Sequence, residues 1–248
     1  MSVGKRKPVM PHLAGHPEQR GTQPGKSGAL RAGIFGVNDG LVSNLSLIMG
    51  VAAATGGEPK FVMLAGVAGL LAGAFSMGAG EYISMRVQRD VFEGLLALER
   101  HELATMPKEE LEELAQIYRK KGMPPELALE VAESLSRDPD IALETHAREE
   151  LGLDPGQLGS PWQAAISSFI AFSFGAFVPL ASFLIGSGNA AVVASASMSG
   201  ATLFLVGSLM TLFTGKSFAL SGLRMLGVGS VAATITYGVG TLLHVNTI

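Results

Sequence analysis

The chain contains no cysteine. Disulfides, thiolate zinc sites and iron–sulfur ligation are therefore excluded, and any metal site must use oxygen, imidazole or thioether donors, which point to fairly hard cations. Charge is scarce too, with 16% charged residues against 48% hydrophobic ones, 32 glycines in 248 residues and a mean hydropathy of +0.36. That balance excludes an ordinary soluble domain of this size and places the chain in a bilayer. The few acids are concentrated: 17 of the 21 Asp and Glu residues fall between residues 90 and 154, between two long apolar blocks. An acidic island in a membrane protein suggests a cation.

Residues 1–29 are rich in Gly, Pro, Lys and Arg, lack the apolar core and cleavage site of a signal peptide, and read as a disordered basic tail. Two apolar stretches follow, about Leu30–Thr55 and Phe61–Met85, and three more come after the island: Trp162–Ile185, Ala190–Phe213 and Phe218–Leu243. Each exceeds the roughly 20 residues that a membrane helix requires. The predicted fold is an all-α membrane protein with transmembrane helices 1–2 in residues 30–89 and helices 3–5 in residues 160–245. A cytoplasmic acidic helical metal-binding domain occupies residues 90–155. An odd number of spans puts the termini on opposite sides. Lys5, Arg6, Lys7, Arg20, Lys26 and Arg31 precede the first span, whereas Lys60 alone marks the other side, so the tail and the island are expected in the cytoplasm.

No proline interrupts residues 81–106, so the second span is expected to continue out of the membrane as one helix to Pro107. Helices are then expected over Glu109–Lys121, from Pro124-Pro125 to about Asp138, and over Asp140–Leu151 with Gly152 at the C-cap. Several acids have helical partners at i±4: Asp90 with Arg86, Glu93 with Arg89, Glu133 with Arg137 and Glu144 with Arg148. Glu99, Glu102, Glu110, Glu113 and Glu150 have no Lys or Arg at i±3 or i±4. The pairs Glu99/Glu102 and Glu110/Glu113 each stack like charges on one helix face, a repulsion of about a few tenths of a kcal/mol that an external counter-ion would relieve. His146, one turn before Glu150, adds an imidazole. Acidic helix faces are common on solvated surfaces, but the missing partners favour a multi-carboxylate site for a divalent metal.

Two carboxylates, Asp39 and Glu81, fall within the spans, where ionisable groups are costly and mark function. Counted from Arg31 and Arg89, each lies eight residues in, about 12 Å deep at about 1.5 Å per residue, so they are expected to share one cation site. Met77 lies one turn before Glu81 and can offer a thioether, although ordinary packing explains a span methionine equally well. The glycine pairs Gly36/Gly40 and Gly69/Gly73 suggest close packing of the first two spans on each other or across a dimer axis.

Taken together, Gly36-Val-Asn-Asp-Gly-Leu41, Ser76-Met-Gly-Ala-Gly-Glu-Tyr82, the glutamate pairs around Pro107 and Glu150-Leu-Gly-Leu153 resemble the vacuolar iron transporter family along residues 30–245. The resemblance implies a homodimer of five-span protomers and proton-coupled export of ferrous iron, and of manganese, from the cytosol. It also implies that Asp39 matches the family's first-span aspartate, Met77 its second-span methionine, and Glu99, Glu102, Glu110, Glu113 and Glu150 its cytoplasmic glutamates. Two departures stand out. Gly69 occupies the place of a second-span glutamate of plant members, so the membrane site must lean on Glu81, and His146 replaces a methionine ligand, which admits zinc-like ions. The expected partners are divalent metal ions, protons, the lipid bilayer and a second copy, with no nucleic acid and no catalytic cofactor. The expected location is multi-pass in a bacterial inner or plasma membrane rather than a vacuolar one. A ferritin-like oxidase anchored to the membrane is the alternative from another class, but its Glu-x-x-His motifs are absent. A metal sensor or buffer is a second alternative, and intramembrane Asp39 and Glu81 argue against it.

Overall fold

The computed structural model describes residues 24–154, 159–211 and 215–243; Lys5, Arg6, Lys7 and Arg20 of the expected tail lie outside them. The described residues form helices α1 (Pro24–Thr55), α2 (Pro59–Thr105), α3 (Pro107–Lys120), α4 (Pro125–Leu135), α5 (Pro139–Glu149), α6 (Pro161–Ile185), α7 (Gly188–Leu209) and α8 (Phe218–Leu242), with no strand among them. Proline opens each helix from α2 to α6, where its missing N–H has no intrahelical acceptor to lose and its fixed φ suits the first turn. Helix α1 likewise starts at Pro24, upstream of the boundary expected at residue 29. Five of these helices, α1, α2, α6, α7 and α8, are long and apolar enough to cross a membrane.

Helix α1 is central to the bundle. Its Leu41, Leu45, Ile48 and Met49 are buried with Val62 of α2, Leu180 and Phe183 of α6, and Leu203 of α7. The glycine face of α1 meets α6, which corrects the expected packing on α2 or across a dimer axis. A Cβ at Gly40 would collide with the carbonyl of Phe172, and one at Gly175 with the carbonyl of Val37. The reason is complementarity: α6 presents its own glycine to the Gly36/Gly40 groove, and two backbones can then approach closely. Gly69 does face the first span, beneath Asn44 and Leu47, whereas Gly73 lies beneath the Phe172 ring of α6. Ser195 on α7 donates to the carbonyl of Pro179 in α6 at 2.7 Å, which joins two spans by a buried hydrogen bond.

Helix α2 runs unbroken for 47 residues, as the absence of internal proline predicts. Beyond the apolar part it carries the packed hairpin of α3 and α4, whose contact is Leu114, Ala115 and Ala132, and it also supports α5. The ion pairs Arg86–Asp90 (2.9 Å), Arg89–Glu93 (2.9 Å) and Arg148–Glu144 (2.6 Å) form as expected. No Glu133–Arg137 pair forms among the described residues, because α4 ends at Leu135 and the i,i+4 geometry ends with it.

Gly175→Val should therefore destabilise the bundle, since overpacking against backbone costs about 1–3 kcal/mol or more. A lower melting temperature in detergent than for the exposed control Leu205→Val is the expected outcome.

Candidate metal centre

Helix α2 ends at Thr105 and α3 begins at Pro107, so Met106 alone makes the corner; its N–H donates to Glu102 O at 2.7 Å. That reversal sets the last two turns of α2, with Glu99 and Glu102, against the first turns of α3, with Glu110 and Glu113. Helix α5 completes the enclosure. Asp138 caps it, accepting from the N–H groups of Asp140 (2.9 Å) and Ile141 (3.3 Å). At its other end Gly152 takes φ +65°, which a residue with a Cβ adopts only with strain, and the chain turns away just after Glu150.

His146 is wholly buried at the centre. Its Nδ1 lies 3.0 Å from Glu99 Oε1, 3.5 Å from Glu110 Oε2 and 3.6 Å from Glu150 Oε2. These are ion-pair distances without hydrogen-bond alignment: both ring nitrogens of His146 and Glu99 Oε1 are buried with no hydrogen-bond partner. One donor atom from each of Glu99, Glu110, His146 and Glu150 lies within 4.8 Å of the others. Ligands held at about 2.1 Å from one ion stand about 3–4 Å apart, so the set needs to close by only about 1 Å to form a coordination shell. Buried polar atoms are almost always satisfied, and a missing ion is a standard reason when they are not. Three carboxylate oxygens and one imidazole suit manganese, iron and zinc alike.

The electrostatics agree. Burial, followed by the charges of Glu150, Glu110, Glu102 and Glu113, pushes the Glu99 carboxyl up to about 7. Glu110 is raised as well, by burial first and then by Glu113, Glu102, Glu150 and Glu109. Glu102 and Glu113 therefore act on the cluster through their field and stand outside the converging four. Glu102 is half-buried, and Glu113 is exposed along a surface groove of α3 that also holds Lys108, Glu109 and Glu112. For a carboxylate raised in the fold, the favourable contribution is complete below its ordinary 4.5 and is lost as pH rises through about 7. A bound cation reverses that sign.

Within the membrane, Asp39 and Met77 line one cavity of about 310 Å³ with Ser43, Asn44, Gly69 and Ser76. Glu81 is not part of its wall. Since Gly69 lies beneath Asn44 and Leu47, the antiparallel register sets Asp39 level with Ser76 and Met77, and Glu81 one turn nearer the helical domain. The expected equal depth of Asp39 and Glu81 is corrected accordingly. Counting from Arg31 and Arg89 presupposes a common edge, whereas register is set by side-chain packing. Next to Glu81, Tyr82 packs at a tilt of 54° against the exposed Trp162, with ring centroids 4.8 Å apart, an aromatic pair of the kind found at the headgroup level. Asn44 was absent from the sequence expectations; a carboxamide in an apolar span was the available signal.

Residues 30–241 match the VIT family. The chain belongs to that family. Relatives of this VIT protein include the vacuolar iron transporter of Acanthamoeba castellanii, 36% identical over 230 residues that cover 88% of this chain and 80% of the relative. Vacuolar iron transporter 1 of Arabidopsis thaliana is 31% identical over 205 residues, covering 82% of each chain. The vacuolar iron transporter of Toxoplasma gondii is 32% identical over 225 residues, covering 87% of this chain and 74% of its own. These VIT relatives are named as transporters, not as enzymes.

Mn²⁺ affinity of the full-length VIT protein should fall about tenfold between pH 8 and pH 6, because a proton on Glu99 competes with the metal below about 7. Calorimetry in detergent measures this, and Glu99→Gln should weaken binding and flatten the pH profile.

Proposed function

We propose that this protein is a transporter that moves ferrous and manganous ions out of the cytosol in exchange for protons. The helical domain, residues 90–155, lies in the cytoplasm in this reading and collects the metal. The observation that carries it is the convergence of Glu99, Glu110, His146 and Glu150 on the same helix system whose membrane portion lines the Asp39 cavity. An anchor for a sensor has no use for an aspartate and a thioether facing a cavity between two spans. The iron transporters among its relatives support the cargo. Arg86 and Arg89 beyond the apolar part of α2, against Lys60 at its start, support the orientation.

Each group has a part in this mechanism. Glu102 and Glu113 add negative potential that draws cations to the four converging ligands. Glu81, at the level of the Tyr82–Trp162 pair, receives the ion at the membrane surface. Asp39 and Met77 hold it one turn deeper. Proton coupling follows from competition: metal and proton occupy the carboxylates alternately, which is the minimum requirement for antiport. A homodimer is the proposed assembly, with the exposed apolar faces of α2 and α8 (Leu64, Leu71 and Phe75; Leu220, Val231 and Ile235) shared between the partner and lipid.

Metal uptake by proteoliposomes, with and without an imposed proton gradient, tests the reading. Asp39→Asn is expected to abolish flux. Glu81→Gln is expected to leave slow flux that ignores the gradient; full gradient-driven uptake in that variant would place the coupling carboxylate elsewhere.

His146→Met should lower Zn²⁺ affinity more than Mn²⁺ affinity, because the imidazole is the ligand of the set that favours zinc-like ions. Equal losses for the two metals, measured by competition calorimetry, would remove His146 from the ligand shell.

A further inference from the structure

We infer that Asn44 forms a second, neutral cation station in the membrane, farther from the helical domain than the Asp39 carboxylate. The inference rests on the transport reading and adds a residue to its path.

The argument begins with the orientation of one amide. Asn44 is 2% exposed, and its Nδ2 donates to the backbone carbonyl of Ala176 on α6 at 2.7 Å. A carbonyl only accepts, so the nitrogen of the carboxamide must face Ala176 and the oxygen must point the other way. There Asn44 Oδ1 is buried and has no hydrogen-bond partner. Asn44 lines the same cavity as Asp39 and Met77. The side chain is thus held by its donor, while its acceptor, on a residue that lines the cavity, is left without a partner.

Gly69 packs against that oxygen and brings no side chain of its own. A Cβ there would stand 2.9 Å from Asn44 Oδ1, tighter than real Cβ contacts. With no side chain at 69, the carboxamide supplies the polar oxygen at this level of α1 and α2. Asn44 lies five residues beyond Asp39, about 7.5 Å along the helix, which is a separate level and not part of one coordination shell. An amide oxygen is a hard donor that replaces part of a cation's hydration without a full charge. Conduction needs sites favourable enough to fill and weak enough to empty, and a neutral level after an anionic one meets that need.

Mn²⁺ uptake by proteoliposomes holding the full-length protein tests this, with the melting temperature in detergent measured for each variant. Asn44→Leu, which keeps the volume and removes both polar atoms, should cut the maximal Mn²⁺ flux at least tenfold. Asn44→Asp gives up the donor to Ala176 but keeps an oxygen at the cavity. It should lower the half-saturating Mn²⁺ concentration at least threefold and slow turnover, because a carboxylate holds the ion too well. If Asn44 only ties α1 to α6, both variants lose flux and melting temperature together with the half-saturating concentration unchanged, and the inference is overturned. Wild-type flux in Asn44→Leu overturns it as well. Should Asn44→Leu fail to fold, the half-saturating concentration of Asn44→Asp decides. Absence of uptake by the wild-type protein defeats the transport reading itself, whereas uptake that these variants leave unaltered defeats the Asn44 station alone.

Discussion

Like charge held together without its counter-charge is the constraint on which the outer half of this protein depends. Glu99 and Glu110 are buried side by side with His146, and Glu150 closes the group from the solvent side. A fold optimised only for its own stability would pair these acids with arginine, as Arg86, Arg89 and Arg148 pair with the acids around them. The protein instead raises the proton affinity of Glu99 and Glu110, and in the proposed transport reading proton and metal are alternative occupants of these oxygens. The one-residue corner at Met106, the Asp138 cap and the turn at Gly152 all serve to hold three helix ends around that charge.

The membrane half follows a different rule. There, backbone proximity sets the geometry: Gly40 and Gly175 let α1 and α6 approach closely, and the buried amide of Asn44 joins the same two helices. Helix α2 packs closely on α6 but more sparsely on α1, and the cavity that Asp39 and Met77 line lies between them. The binding groups are therefore carried on rigid helices and not on loops, which suits a site whose ligands must keep their spacing while ions exchange.

Much of this was legible in the sequence. The apolar runs and the prolines at 59, 107, 125, 139 and 161 mark the helices to within a few residues, because proline acts locally. Counting at i±3 and i±4 puts Glu99, Glu110 and Glu150 among the acids without helical partners, but it does not separate them from Glu102 and Glu113. Tertiary register was not legible. That Asp39 faces Met77 and not Glu81, that Gly36/Gly40 pack on α6, and that Glu102 and Glu113 stand outside the converging ligands all depend on how helices distant in sequence slide and rotate against one another. His146 was visible as an imidazole near Glu150, yet its position at the centre of the cluster comes from α5 folding back on α2.

The unbroken length of α2 has a consequence for how the two halves communicate. From Tyr82, at the level of its pair with Trp162, to Glu99 the helix rises about 26 Å at 1.5 Å per residue. That is about three Debye lengths at physiological ionic strength. The acidic cluster therefore stands clear of the surface potential of the lipid headgroups, and its charge is almost fully screened from Asp39. An ion held at the cluster exerts almost no pull across that gap. In the proposed transport reading, metal held at the cluster leaves the intrinsic affinity of the Asp39 site unaltered, so the two halves act in series as a reservoir and a gate.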